Sequence, residues 1–244
     1  MSLVGTLPAR LIVSWTSFSM HDRDIRKALH QFLQDAHVGE SGTLIINELG
    51  LCQGDARADL AVINGSLNGY EIKSERDTLI RLPRQRDIYG QCFNTMTIVA
   101  SKKHISKARV LLPKWWGILE AKPNNDGAVI FIWRRIPKNN REIKPESVVK
   151  FLWKKEGIAI LTELGVDTAR HGKTRRDIAA KLVELLTVDQ LCEAVREQIK
   201  VRGDWRVDSS QTQRDDSRRS AATSSRSQEY RSWLLSLGSS DLHC

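Results

Sequence analysis

With 244 residues, 41% of them hydrophobic, the chain is long enough for one full domain and a smaller second one. No apolar run approaches a membrane span, and the patch Leu11–Val13 lacks the basic start and long apolar core of a signal peptide. A net charge of +9 and a pI near 9.6 favour a polyanionic partner, the hydrophobic content suits a soluble protein with no membrane, and the scattered cysteines suit a reducing cytoplasm.

The excess charge is +6 over residues 1–140 and +3 over residues 141–207, and residues 208–244 are neutral. It therefore sits on the parts expected to fold. Cys52, Cys92, Cys192 and Cys244 form no Cys-x-x-Cys pair, so free thiols are expected and a zinc site is not.

In chain order, residues 1–20 read as an N-terminal extension, with Met20 a candidate start. Ile25, Ala28, Leu29, Phe32 and Leu33 recur at helical spacing and predict a helix over 22–36, capped by Asp22. Thr43–Leu49 is β-rich and ends near Glu48. Two strands, Ala58–Ile63 and Tyr70–Ser74, flank a turn with two Asn-Gly pairs. Strand alternation puts Asp59 with Ala61 and Ile63, and Glu71 with Lys73, leaving Leu60, Val62 and Ile72 to pack.

A helix follows over 83–93, with Pro83 suited to its first turn and Gln85 and Tyr89 one turn apart. Thr95–Ala100 reads as a buried strand. Trp115–Leu119 and Ala128–Trp133 suggest two more, with Trp115 and Trp116 on opposite faces. A boundary is expected at Pro137–Pro145. Beyond it, residues 145–207 read as a helical domain with a break near Gly157 and caps at Thr174-x-x-Asp177 and Thr187-x-x-Gln190. Residues 208–244 are Ser/Arg-rich and read as a disordered tail.

If the hairpin pairs with its polar sides together, Asp59, Glu71 and Lys73 converge. Two carboxylates there can hold a divalent metal, and the ammonium can orient water or offset charge on a phosphate. Surface charges on a hairpin are the bland alternative. The order acid, gap, Glu71-Ile-Lys73, then Gln85-x-x-x-Tyr89, resembles the PD-(D/E)xK nucleases, in particular their RecB-like and lambda-exonuclease-like branches. Glu71-Ile-Lys-Ser-Glu-x-Asp-Thr-Leu with Trp115-Trp-Gly is similar to a poorly characterised bacterial family of that fold. The resemblance spans residues 21–135, with Ala58 where the motif's name expects proline.

The resemblance implies an α/β restriction-endonuclease-like core over 21–136, a central mixed sheet flanked by helices. It further implies a Mg²⁺-dependent deoxyribonuclease, Mn²⁺ substituting, in bacterial repair, restriction or mobile-element conflict. Asp59, Glu71 and the Ile72 carbonyl would bind metal; Lys73 would serve the attacking water, and Gln85 and Tyr89 would brace ligands or touch phosphate. Glu48 either completes the metal site or caps a turn, and Asp55 is a weaker candidate. Arg81, Arg84 and Arg86 are candidates for the nucleic-acid backbone or solvated charges, and Lys173, Arg175 and Arg176 are candidates for the same role or charges that Glu156 or Glu163 neutralises. DNA is the expected partner, with RNA and a homodimer left open. The alternative is a nucleic-acid-binding protein of the same fold that does not cut.

Overall fold

The computed structural model describes residues 20–51, 56–168 and 174–202. Residues 1–19, Cys52, Asp55, Lys173 and the segment read as a tail at 208–244 lie outside the described residues.

Helix α1 (Asp22–Ala36) buries Ile25, Leu29 and Leu33, the stripe its spacing predicts. Its start differs from expectation. His21 is the N-cap and Asp22 already belongs to the first turn; Asp24 accepts the His21 N–H at 3.1 Å. Strands β1 (Leu44–Leu51), β2 (Ala56–Ile63) and β3 (Leu67–Lys73) follow as an antiparallel meander. Helix α2 (Leu82–Tyr89) crosses to β4 (Thr95–Ser101), parallel to β3, and α3 (Lys102–Leu111) crosses to β5 (Gly117–Pro123), parallel to β4. Strand β6 (Val129–Arg135) returns antiparallel to β5, completing a six-stranded mixed sheet in the order β1-β2-β3-β4-β5-β6. The protein is thus α/β, with helices on both faces of the sheet.

The sheet is apolar on both sides. Leu60, Val62, Ile72, Val99 and Leu119 pack with α1. Ala61, Ile63, Met96, Ile98 and Ile118 pack on the opposite face with Leu82, Tyr89, Ala108 and Leu112. Only Asn64–Ser66 makes the turn between β2 and β3, since the second Asn-Gly pair lies inside β3. Gly69 is needed there for space: a Cβ would stand 2.3 Å from Met96 Sδ and 3.0 Å from Phe93.

Trp115 and Trp116 precede β5 instead of lying on it. Their rings pack against each other at 5.8 Å in the same core layer, so they do not take opposite faces. Helix α3 is absent from the sequence reading.

The segment after β6 is sewn to the end of α2. Asn140 Nδ2 donates to the carbonyls of Gly90 (2.6 Å) and Phe93 (3.0 Å), and Lys144 N–H donates to Gln91 O (3.0 Å). Then come α4 (Pro145–Val148), a 3₁₀ turn at Val149–Phe151, α5 (Lys154–Glu163), α6 (Arg175–Leu185) and α7 (Val188–Val201). Both expected caps form: Thr174 Oγ1 accepts from Asp177 N–H (3.1 Å) and Thr187 Oγ1 from Gln190 N–H (3.3 Å). The core continues from sheet to helices, with Phe93 against Phe151 at 6.1 Å.

The helix break falls at Leu152–Trp153, not at Gly157, which lies inside α5. Gly157 instead lets two helices touch, since a Cβ there would meet Ile178 Cγ2 of α6 at 2.5 Å. On propensity alone Gly157→Ala gains about 1 kcal/mol. Overpacking against a branched side chain costs about 1–3 kcal/mol. The variant should therefore melt below the wild type; an increased Tm on calorimetry would show that α6 yields freely.

Candidate active site

Glu71, on β3, is the centre of the polar groups on the α2 side of the sheet. It is 2% exposed. Its Oε1 accepts from Lys73 Nζ (2.6 Å) and from Gln85 Nε2 (2.6 Å), and its Oε2 faces the Tyr89 hydroxyl (2.9 Å). Alternation along β3 places Lys73 beside Glu71, and one turn of α2 places Gln85 above Tyr89. Tyr89 also faces the Arg57 carbonyl at 2.8 Å; having one proton, it donates to one acceptor at a time.

Burial and the nearby negative charge of Asp59 push the Glu71 carboxyl above the usual carboxylate range, against the pull of Lys73 and Tyr89. Burial and Glu71 together drive the Tyr89 phenol upward, so it stays protonated. Among the described residues, Gln85 Oε1 is buried without a hydrogen-bond partner.

Asp59 approaches from β2. Its Oδ2 accepts the Ile72 N–H at 2.7 Å, and its Oδ1 accepts Arg26 Nη2 of α1 at 2.7 Å. Arg26 also donates to the Asp59 carbonyl (2.8 Å) and to Asp22 (3.3 Å). The placement of Asp59 departs from simple alternation. Ala58 and Ala61 lie in one core layer, as do Ile46 and Leu49, although residues three apart on a regular strand face opposite ways.

The slip occurs at Glu48, whose φ of 57° is left-handed. Such a conformation costs a residue with a Cβ about 1–2 kcal/mol. The ladder pairs Asn47 with Leu60 and Leu49 with Ala58, leaving Glu48 and Asp59 between these pairs, and the β2–β3 register ends at Leu60 with Tyr70. The Glu48 carboxylate meets Arg57 at 3.3 Å.

The remaining sequence candidates are dispersed. Arg81 and Arg84 are exposed at the start of α2. Arg86 Nη1 donates to the Leu111 carbonyl (3.0 Å), tying α2 to α3. Arg175 Nη2 donates to the carbonyls of Lys150 (3.0 Å) and Leu152 (2.7 Å), so its guanidinium braces a turn. Arg176 is exposed. Glu156 does not serve that basic stretch; it is buried, pairs with Arg202 at 2.6 Å and caps Trp153 N–H at 2.7 Å. Arg26 was missed by sequence reading, because its link to Asp59 spans 33 residues and depends on how α1 docks.

A hard divalent cation suits the donors present. Among the described residues, no group of three or more acidic, His or Cys side chains gathers into a closed cage. Mg²⁺, however, is commonly held by one or two carboxylates with water and phosphate oxygens completing the shell. Asp59 and Glu71 would be such a pair, and the Gln85 oxygen, unpartnered among the described residues, would be a neutral acceptor beside Glu71.

Lys73 and Glu71 form a buried ion pair, with side chains 5% and 3% exposed. Removing one partner strands the other. Lys73→Met should cost about 3–5 kcal/mol at neutral pH. The stranded Glu71, its folded-state pKa raised above the unfolded value, binds its proton more tightly when folded, so this contribution to stability falls as pH rises through the raised pKa. Denaturant titrations at pH 5 and pH 8 should then show the larger deficit at pH 8. Equal deficits would mean that Glu71 does not carry the effect.

Similarity to known proteins comes from the phage world. Residues 17–222 match the family model described as bacteriophage P4 protein cII. Protein cII of Enterobacteria phage P4 is 30% identical over 186 residues, covering 75% of this chain and 68% of that protein. A Silicibacter pomeroyi protein of unknown function is structurally similar at 18% identity and a TM-score of 0.33, over 57% of this chain and 88% of that one. On sequence, then, the chain belongs to the family of bacteriophage P4 protein cII.

Proposed function

We propose that the chain is a metal-dependent nuclease of the PD-(D/E)xK type, with a restriction-endonuclease-like core, acting on DNA and using Mg²⁺, for which Mn²⁺ can substitute. The observation that carries this reading is the buried Glu71 carboxylate, bonded by Lys73 and Gln85 and facing the Tyr89 hydroxyl, with the Asp59 carboxylate on the N–H of the next residue, Ile72. The order of strands and crossovers up to β4 supports the fold assignment. The phage origin of the matched relative supports a mobile-element setting.

Asp59 and Glu71 would hold the cation, with the Ile72 carbonyl and Glu48 as further candidates. Bound there, the cation would polarise the scissile phosphodiester and lower the pKa of an attacking water. Lys73 carries its ammonium on Glu71 Oε1 and in this reading would orient that water or offset charge on the phosphate. Gln85 and Tyr89 fix the rotamer of Glu71, and the Ile72 N–H with Arg26 fixes that of Asp59. Arg81 and Arg84 offer exposed charge to the backbone at the start of α2.

One observation favours a second reading, a nucleic-acid-binding protein of this fold that does not cut. Each carboxylate already has an internal cation, Arg26 on Asp59 and Lys73 on Glu71.

Circular and linear, single- and double-stranded DNA in Mg²⁺ or Mn²⁺ separates the two readings, with Mn²⁺ calorimetry alongside. Cleavage should be lost in Asp59→Asn, Glu71→Gln and Lys73→Met, while Mn²⁺ binding should weaken only in the first two. Gln85→Ala should slow turnover at least about tenfold, equivalent to roughly 1.4 kcal/mol of transition-state stabilisation. DNA binding without cleavage or Mn²⁺ binding in the wild type would establish the silent reading.

A further inference from the structure

Helix α3 exposes Lys102, Lys103, Ser106, Lys107, Arg109 and Val110 to solvent, four cations and no acid. Elsewhere, Arg26, Lys181, Arg196 and Lys200 each pair with an acid three or four residues along the same helix. Among the described residues, no ion pair includes any of the four cations of α3. Their placement also works against the helix. Lys102 and Lys103 occupy its first turn, where the helix dipole favours acids, and Lys103 repels Lys107 one turn on.

The positive face extends past the helix. Arg109 Nη2 donates to the Arg134 carbonyl (3.2 Å), and Arg135 donates to the carbonyls of Trp116 (2.6 Å) and Pro113 (3.0 Å), so both guanidiniums rest on neutral groups. Burial and the Arg109 charge hold the Arg135 guanidinium below its ordinary pKa. Two like charges are thus kept close together. Lys114 is exposed on the loop between α3 and β5. Acids around this face are engaged elsewhere: Glu120 with Arg134, and Asp87 with Arg86. Asp77 faces the start of α3, and its Oδ2 accepts the Ser74 N–H (2.7 Å) and hydroxyl (2.6 Å).

We propose that the outer face of α3, with Lys114 and Arg135, is a binding surface for the sugar–phosphate backbone of duplex DNA. The helix turns its buried residues, His104 and Ala108, toward the protein, so it has no broad apolar face to lay into a bilayer. Val110 is its one exposed apolar side chain and it carries no aromatic, so it offers no platform for stacking single-stranded bases. Unpaired cations along a convex surface suit phosphates. The position fits the candidate site. His104 Nε2 lies 3.0 Å from the Ser74 carbonyl, one residue beyond Lys73, so the first turn of α3 stands beside the strand end that carries Glu71 and Lys73. From there the helix runs about 15 Å, the length of roughly four base pairs. That this duplex is the substrate of the Glu71 site rests on the nuclease reading.

The test is fluorescence anisotropy of the full chain with a labelled DNA duplex in chelator, so that no cutting occurs. Lys102→Glu, Lys103→Glu and Lys107→Glu combined should weaken binding at least about tenfold and lower the salt slope by about one for each lost phosphate contact. The Tm should hold or rise, because acids then occupy the first turn. The same charge change at Lys155, Lys181 and Lys200, one on each of α5, α6 and α7, should weaken binding far less. Unlabelled single strand and phosphatidylserine vesicles should compete poorly.

Equal losses in the two triple variants overturn the proposal, since net charge alone then accounts for binding. A fall in Tm that accompanies the loss assigns the lysines to the fold and overturns it too. Equal competition by single strand overturns the duplex as partner, and equal competition by vesicles overturns nucleic acid. Binding through α3 without cleavage by the wild type in Mg²⁺ or Mn²⁺ sinks the nuclease reading and leaves the surface standing. Wild-type binding and cleavage in the α3 variant do the reverse.

Discussion

A carboxylate at 2% exposure costs several kcal/mol to desolvate unless its oxygens are satisfied, and most of the arrangement around β3 follows from that constraint on Glu71. Three donor groups surround it, and they come by two structural routes. Lys73 arrives through strand alternation, and Gln85 and Tyr89 through the first turns of the helix that follows β3. The helix must then be held in place, which the segment after β6 does by running Asn140 into the carbonyls at its C-terminal end. Arg86 ties the same helix to the end of α3. His104, at the start of α3, bonds the Ser74 carbonyl just beyond β3. The helices on this face thus form a clamp on one strand end.

The other half of the site depends on a local irregularity. Without the left-handed Glu48 and the slip opposite it, alternation would keep Asp59 on the α2 side with Ala61. The slip instead lets its carboxylate span the Ile72 N–H and Arg26 of α1. Strain of about 1–3 kcal/mol is tolerated where surrounding structure over-determines it. Here the registers on both sides of Glu48 and the Arg26 contacts do so.

Sequence patterning revealed what rests on local spacing. The stripe of α1, the Glu71/Lys73 alternation, the Gln85/Tyr89 pair and the Thr174 and Thr187 caps are all i, i+2, i+3 or i+4 relations and all appear in the structure, whereas the expected alternation of Asp59 with Ala61 and Ile63 does not. What it missed depends on distant neighbours. Helix α3 begins Lys102-Lys103-His104 and buries only His104 and Ala108, too narrow a stripe to announce itself. Gly69 and Gly157 look like turn and break signals, yet each is explained by a side chain from another element. Arg26 and the Arg57 carbonyl enter only through tertiary docking. The sequence also could not tell Arg175, which braces a turn, from Arg176, which is exposed.

Charge balance links the candidate site to its proposed substrate. Asp22, Asp59 and Glu71 bring three carboxylates near Arg26 and Lys73, and the Asp22 carboxyl is itself raised, chiefly by burial and also by the Asp59 charge. With all three ionised, the cluster carries one net negative charge. A divalent cation alone would leave it one positive, in a region where burial makes uncompensated charge costly. One phosphate group restores the balance. Under the nuclease reading, cation and phosphate therefore favour each other's entry, and by linkage each must raise the other's affinity by the same factor. Under that reading the internal cations Arg26 and Lys73 would make cation loading depend on substrate.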